Sequence, residues 1–298
     1  MDKIYKFKRS LLKRFCTCCR IDGDQIVRAY ETSISIEKNG LSSSRREVDK
    51  LINVEEASPI IEIEDEATLI DRDNLVLPQN STNINVGGMP QSGSTMLFNM
   101  LRYILELKGV QYYGFYEDWF TVGSLKNNNI IKYHKYNKNL HSQSHYLITT
   151  KRNLLDTVAS GRRRGDKRSA KKLAEERIFL YASTVYYSDY EMEYEAYISD
   201  PIGEIKKIAD VINKSLNFQE AAFIKQKLDN LKKKSLPPTD DPESDIYKKL
   251  LLSQSHLSNG GKINAYSSIL SSDEISEIVD AFPVWFEANP SHLPACLA

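Results

Sequence analysis

The stretch Val86-Gly87-Gly88-Met89-Pro90-Gln91-Ser92-Gly93-Ser94-Thr95 constrains the fold of this chain more than any other. Ile84 and Val86 close a short apolar segment of strand character, and Gly, Pro and Ser then impose a tight turn. From Ser94 onward, apolar residues at 97, 98, 101, 104 and 105 recur at helical spacing. A strand, a small-residue loop and a helix in that order bring backbone N–H groups and a helix N-terminus to one point, which is a general anion site. No Gly-Lys-[Ser/Thr] closes the loop, so the pattern is not Walker A. The competing reading is an ordinary Gly/Ser turn capped by Ser94.

Downstream, the pattern alternates. The spacing predicts strands near 112–116, at Ile130 to His134, at Tyr146 to Thr150 and at 190–196. Between and after them it predicts helices from Arg152 onward, from 170 to 187, over 202–212 with Ile202, Ile205, Ile208, Ala209 and Ile212 on one stripe, and from Phe218 to Lys234. Ser272 or Asp273 reads as the cap of a last helix burying Ile275, Ile278, Val279 and Phe282. Alternating strands and helices imply an α/β fold, a mostly parallel central sheet flanked by helices on both faces. In such folds the cleft opens at the carboxyl ends of the strands. The polar groups at 90–95, 132–134 and 152–160 all fall at or just after a strand end.

Composition narrows the partners. Lys plus Arg and Asp plus Glu both number 40 in 298 residues, so bulk charge gives no general attraction to nucleic acid. Of the four cysteines, Cys16, Cys18 and Cys19 crowd together without a second Cys/His group at finger spacing, which favours a reducing compartment over a disulfide scaffold or a zinc module. The basic start (Lys3, Lys6, Lys8, Arg9, Lys13, Arg14) leads into no long apolar run, so neither a signal peptide nor a transmembrane span is expected, and a cytoplasmic location follows. The start reads as a solvated face or as a weak contact with anionic membrane. Residues 1–80 carry no chemical motif; a short strand at Thr32 to Ile36 and a mixed apolar and acidic segment at 60–70 are read there. They read as an N-terminal appendage to a main domain at 81–298, or as a cover for the edge of its sheet.

Three constellations bear chemistry. Lys132 and His134, two apart on a strand, would face the same way. The lysine charge would lower the proton affinity of the imidazole and leave it neutral near pH 7, as a general base must be. The alternative is a solvent-facing pair on an edge strand. Arg152 and Ser160, eight apart, could converge on one phosphate by charge-assisted bonds, or serve as an ion pair and a solvated helix position, with Asp156 and Ser160 bonded to each other. The five Arg/Lys residues between 162 and 168, with Lys171 and Lys172, form a solvated face or the rim of an anion site. His141 and His145 cross an apparent loop and do not read as metal ligands. Tyr112, Tyr113, Phe115, Tyr116 and Trp119 read either as core and surface aromatics or as the wall of an acceptor pocket.

In this order and spacing, the chain resembles the sulfotransferases that use 3′-phosphoadenosine 5′-phosphosulfate (PAPS) as sulfuryl donor. Met89 to Thr95 resembles their 5′-phosphosulfate loop, and Ile131-Lys132-Tyr133-His134 their Lys-x-His segment, whose histidine is the usual catalytic base. Arg152 and Ser160 match the spacing of their 3′-phosphate contacts, and Tyr194-Glu195 their Tyr-Glu-Asp segment beside the adenine. His256 to Lys262 lies where a glycine-containing basic loop closes over the nucleotide, which assigns Gly260 and Lys262. The resemblance covers about 84–288 and implies a three-layer architecture like that of P-loop nucleotide-binding proteins. It implies Gln91, Ser92, Gly93, Ser94, Thr95, Arg152, Ser160, Tyr194, Gly260 and Lys262 as donor-binding residues, and His134, Lys132 and Gln91 as catalytic ones. It further implies an acceptor bearing a hydroxyl or amine, either a glycan or a small molecule, and neither metal nor nucleic acid.

Two positions depart from the family. Gln91 stands where a Lys or Arg is usual, and donates hydrogen bonds without supplying charge. Ala196 replaces the acidic third residue of Tyr-Glu-Asp. Two rival readings follow: a nucleotide-dependent small-molecule kinase, which the lack of a Walker lysine disfavours, and a binding module weakened in catalysis, which Gln91 favours.

Overall fold

The computed structural model describes residues 82–117, 128–135, 140–141, 143–185, 187–231, 236–238, 240–241, 244–257 and 261–294. The readings at the basic start, the cysteine cluster, 32–36, 60–70, Trp119 and Gly260 lie outside them. The described residues fall into two compact units, one within Val76–Ala281 and one that holds Phe282 onward. In the latter, a short helix at Pro283–Ala288 opens on proline, and Asn289 Nδ2 closes it on the Trp285 carbonyl at 2.8 Å.

The main unit is built on five parallel strands: β1 (Thr82–Gly88), β2 (Tyr113–Tyr116), β3 (Asn128–Lys132), β4 (Tyr146–Lys151) and β5 (Tyr190–Glu193), in the order β2-β3-β1-β4-β5. The chain leaves β1 toward one edge of the sheet and later returns to its other side, so the switch point lies at β1, flanked by β3 and β4. Register aligns Val86 with Lys132 and Gly88 with Thr150. The ladders continue one step past the strands, where Tyr133 N–H donates to the Val86 carbonyl (2.9 Å) and Met89 N–H to that of Thr150 (3.0 Å).

Helices cover both faces. On one, α1 (Ser94–Leu107) buries Leu97, Phe98, Leu101, Ile104 and Leu105 against Ile84, Val86, Ile130 and Ile148. Beyond the short α4 (Tyr194–Ser199), the stripe Ile205, Ile208 and Ala209 of α5 (Pro201–Val211) joins this core, as do Ile224 and Leu228 of α6 (Phe218–Leu231). The other face carries α2 (Leu154–Arg163) and α3 (Ala170–Val185), with Thr184 against Gly87. Strand alternation explains the division, since even positions of β1 face α1 and odd ones face away. The odd positions Asn83 and Asn85 are buried polar residues whose amide N–H groups meet carbonyls of the β3–β4 connection: Asn85 Nδ2 donates to Leu140 at 2.9 Å and Asn83 Nδ2 to Gln143 at 3.2 Å, while Asn85 Oδ1 has no hydrogen-bond partner among the described residues.

The expected last helix is present as Ser272–Ala281, but its cap is Ser271. The Ser271 hydroxyl accepts from Glu274 N–H (3.2 Å), and the Glu274 carboxylate accepts from Ser271 N–H (3.0 Å), a reciprocal capping box.

Candidate active site

Gly88 ends β1 at φ 107°, where a Cβ would lie 2.4 Å from the Thr150 carbonyl oxygen, so the loop can leave the sheet only through glycine. Gln91 follows with φ 60°, an unusual backbone for a side-chain-bearing residue that is typical of constrained functional loops. The Ser92 hydroxyl turns inward to the Met89 carbonyl and to Thr150, and its N–H donates to the Met89 carbonyl at 3.3 Å. Ser92 thus braces the loop and does not line the cavity. Gly93 precedes α1 in the left-handed region with no side-chain cap, which leaves the first-turn N–H groups directed out of the helix end.

A cavity of about 410 Å³ lies against that helix end. Gln91, Gly93, Ser94, Thr95, Lys132, His134, Arg152, Ser160 and Tyr194 all line it. The strand ends explain this meeting: 91–95 follow β1, Lys132 ends β3, and Arg152 follows β4. His134 lies two residues beyond β3 and not on it, yet both it and Lys132 reach the cavity.

Lys132 Nζ donates to Thr95 Oγ1 at 2.6 Å and sits 5.8 Å from the Tyr116 ring centre. Burial, assisted by the positive charge of Arg164, holds its pKa down to about 7, with Asp240 pulling the other way. Burial, then the Lys132 charge, pushes the imidazole of His134 down to about 3. His134 Nδ1 lies 3.4 Å from the Gly88 carbonyl, which can only accept, so the ring proton belongs on Nδ1 and Nε2 is left with its lone pair.

Arg152 stacks its guanidinium 4.6 Å from the Tyr194 ring centre and donates to the Lys262 carbonyl at 2.6 Å. Arg152 Nε and Gln91 Oε1 are buried polar atoms without a hydrogen-bond partner among the described residues. Asp156 does not bond Ser160. Its fully buried carboxylate accepts from the N–H groups of Asn264 (2.8 Å) and Tyr266 (3.0 Å) and lies 3.6 Å from Arg152. The backbone donors of 264–266 therefore take the acceptor that sequence spacing offered to Ser160. Lys262 reaches the site through its carbonyl; its side chain is exposed and does not line the cavity. Gly261 also lines the cavity, with its carbonyl accepting from Tyr194 Oη at 2.9 Å.

The aromatic run at 112–116 stays out of the cavity lining. Phe115 is buried, Tyr112 Oη bonds Glu106 at 2.7 Å, and only Tyr116 approaches, 6.3 Å from His134 ring to ring. His141 Nε2 bonds Tyr133 Oη at 2.6 Å and His145 Nδ1 accepts from Asn83 N–H at 3.2 Å, so both are held within the protein. Among the described residues no cluster of His, Cys, Asp or Glu is placed to hold a metal. Of the basic cluster, Arg162 pairs with Glu274 (2.7 Å), Arg168 with Asp166 (2.5 Å), and Arg164 with Asp240 (2.5 Å); Arg164 alone among them lines the cavity.

Sequence reasoning missed Asp240, Ser253 and His256. His256 lines the cavity, and Ser253 links it to Asp240. The three come from a Pro-rich turn and an adjoining short helix, without the periodicity or spacing that would mark them. It also missed Lys225 and Asp229, an ion pair one turn apart on α6 that lines the cavity with Tyr197 and Leu228.

No family model matches the chain, and comparison with curated proteins finds no match. Solved structures do match. Mouse sulfotransferase SULT7A1 complexed with PAP superposes with a TM-score of 0.55 at 14% identity, over 76% of this chain and 90% of that one. Retinol dehydratase in complex with androsterone and the inactive cofactor PAP superposes with a TM-score of 0.51 at 14% identity, over 72% and 82%. The parallel sheet, its flanking helices and these superpositions agree: the chain has the sulfotransferase fold.

Proposed function

We propose that this protein is a PAPS-dependent sulfotransferase acting on a hydroxyl or amine of a small molecule or glycan. The observation that carries the proposal is convergence. Gln91, Lys132, His134, Arg152, Ser160 and Tyr194, drawn from four separate segments, line one cavity at the β1 switch point, in a fold shared with structures that hold PAP. Arg152 Nε, buried without a partner among the described residues, and the N-terminus of α1, which no described side chain caps, supply donors suited to an anionic nucleotide.

Bound there, PAPS would supply the activated sulfuryl group. The N–H groups of 93–95 and the hydroxyls of Ser94 and Thr95 would hold its 5′ end, Arg152 and Ser160 its 3′-phosphate, and Tyr194 would face its base. Lys132 would place positive charge beside Thr95, in the region that Gln91 serves with a neutral amide. Anionic donor groups near Lys132 would raise its pKa from about 7 and keep it charged at neutral pH. His134 would take the acceptor's proton at Nε2. No metal enters this scheme, residues 1–80 act as an appendage to it, and the setting is cytoplasmic. Among the described residues no helix is long and apolar enough to cross a membrane.

Radiolabelled PAPS incubated with phenols, alcohols, amines and glycans tests the reading. His134→Ala should lower kcat about 10²- to 10⁴-fold, the usual contribution of a general base, while PAP still binds. Full turnover by that variant would remove His134 from its role. Transfer from Mg-ATP in place of PAPS would replace the reading by the kinase.

A further inference from the structure

The cavity holds a second histidine that the transfer scheme leaves without a task. His256 lies on its wall, in a helical turn at Gln254–Leu257, with 16% of its side chain exposed. Its Nδ1 faces Ser253, which is fully buried, through two contacts: the Ser253 backbone N–H at 3.2 Å and the hydroxyl at 2.9 Å. The same hydroxyl donates to Asp240 Oδ1 at 2.6 Å, and Asp240 in turn pairs with Arg164. The Ser253 backbone N–H is directed at Nδ1 and makes it an acceptor, so Nδ1 carries the lone pair and the neutral ring bears its proton on Nε2.

The two cavity histidines thus adopt opposite tautomers. His134 has its proton on Nδ1, against the Gly88 carbonyl, and presents an accepting Nε2. His256 has its proton on Nε2 and presents a donor. Both stay neutral, because each is desolvated and each feels the charge of Lys132 and Arg164. Among the described residues, Asp240 also lies beside His256, 3.4 Å from Nδ1, as does the Tyr247 ring at 6.4 Å between ring centres.

We propose that His256 is an acceptor-binding residue whose Nε2–H donates to the acceptor atom that His134 deprotonates, and that this pair selects a hydroxyl over an amine. A hydroxyl oxygen gives one proton and accepts on its remaining lone pairs, so it can satisfy both rings at once. An alkyl ammonium can only donate: it would leave the His256 donor unmet and would meet the charges of Lys132 and Arg164. The proposal rests on the transferase reading and narrows its acceptor class. Asp240 and Ser253 act as positioning residues that set the tautomer.

Two measurements on the full chain test it. Nitrogen-15 NMR of the histidine rings should show His256 protonated at Nε2 and His134 at Nδ1. A proton on Nδ1 of neutral His256 overturns the proposal, whatever the acceptor. With labelled PAPS and the matched probes 2-phenylethanol and 2-phenylethylamine, the wild-type chain should sulfate the alcohol and leave the amine. His256→Ala should lower kcat/KM for the alcohol about 10- to 100-fold, the scale of one preorganised donor, with PAP affinity unchanged. His256→Gln, which keeps an N–H donor, should recover most of the loss. Wild-type transfer to the amine as fast as to the alcohol, or full activity of His256→Ala, sinks this proposal and leaves the transferase reading intact. Failure of PAP to bind the wild-type chain, or PAP binding with transfer neither to these probes nor to any phenol, alcohol, amine or glycan of the wider panel, sinks the proposal together with the reading beneath it.

Discussion

Lys132 is buried at the end of β3, its ammonium bonded to a single hydroxyl and near the positive charge of Arg164. Burying such a group costs stability. Its pKa falls from the ordinary 10.5 to about 7 in the folded chain, so between those values the unfolded chain binds more protons than the folded one. The destabilisation is complete below pH 7 and fades as pH rises toward 10. Lys132→Met should therefore melt higher than wild type at pH 6, with the gain shrinking steadily above pH 7, while turnover is lost. Thermal scans across that range check the sign, and a gain that grew with pH would contradict it. Gln91 and His134 belong to the same scale. One offers a neutral amide where charge is usual, and the other keeps a lone pair because its far nitrogen faces a carbonyl.

Among the elements, α2 does the most to join separate parts of the chain. Asn153 caps it by accepting from Leu155 N–H at 3.0 Å. One turn on, Asp156 grips the backbone of 264 and 266, and Ser160 and Arg164 face the cavity. A fully buried carboxylate with two backbone donors and an arginine partner cannot be replaced without leaving something unmet. Asp156→Asn should cost about 3 kcal/mol, the scale of an unsatisfied buried donor beside an unpaired charge. It should also weaken PAP binding about tenfold, because the segment carrying Gly261 and the Lys262 carbonyl loses its anchor. Differential scanning and calorimetric titration measure the two effects. Unchanged PAP affinity would mean that the anchor and the nucleotide contacts are independent.

At the scale of the whole molecule, the apolar stripes of α1 and α5 and the strand at 146–150 are readable because periodicity and burial coincide there. Ile205, Ile208 and Ala209 are completely buried, as their spacing requires. Asn83 and Asn85 break that rule: they are buried polar residues on a central strand, made tolerable by carbonyls of the 140–143 connection that no local pattern announces. The meeting of 91–95, 132–134 and 152–160 was legible because each follows a strand end. The Asp240–Ser253–His256 cluster was not, since it depends on tertiary placement of a turn and a four-residue helix. Ser271 was displaced by one residue from the expected cap, the ordinary ambiguity of a run of serines followed by an acid. If the cavity holds the nucleotide, PAP at one hundred times its Kd should stabilise the chain by about 2.7 kcal/mol. For a unit of this size that raises Tm by about 5–10 °C, a shift that ATP at the same concentration should not match.

The register of β1 with β3 and β4 has a further consequence. Val86 opposite Lys132 and Gly88 opposite Thr150 fix how far the 89–95 loop stands from the lysine and from Arg152. Backbone ladders set these distances, whatever number of residues the chain spends between one strand and the next. Insertions or deletions in those connections can therefore remodel the rim of the cavity while the 89–95 loop, Lys132 and Arg152 keep their spacing. An exchange of such a connection should change which molecules the cavity admits and leave the gauge between those three groups intact.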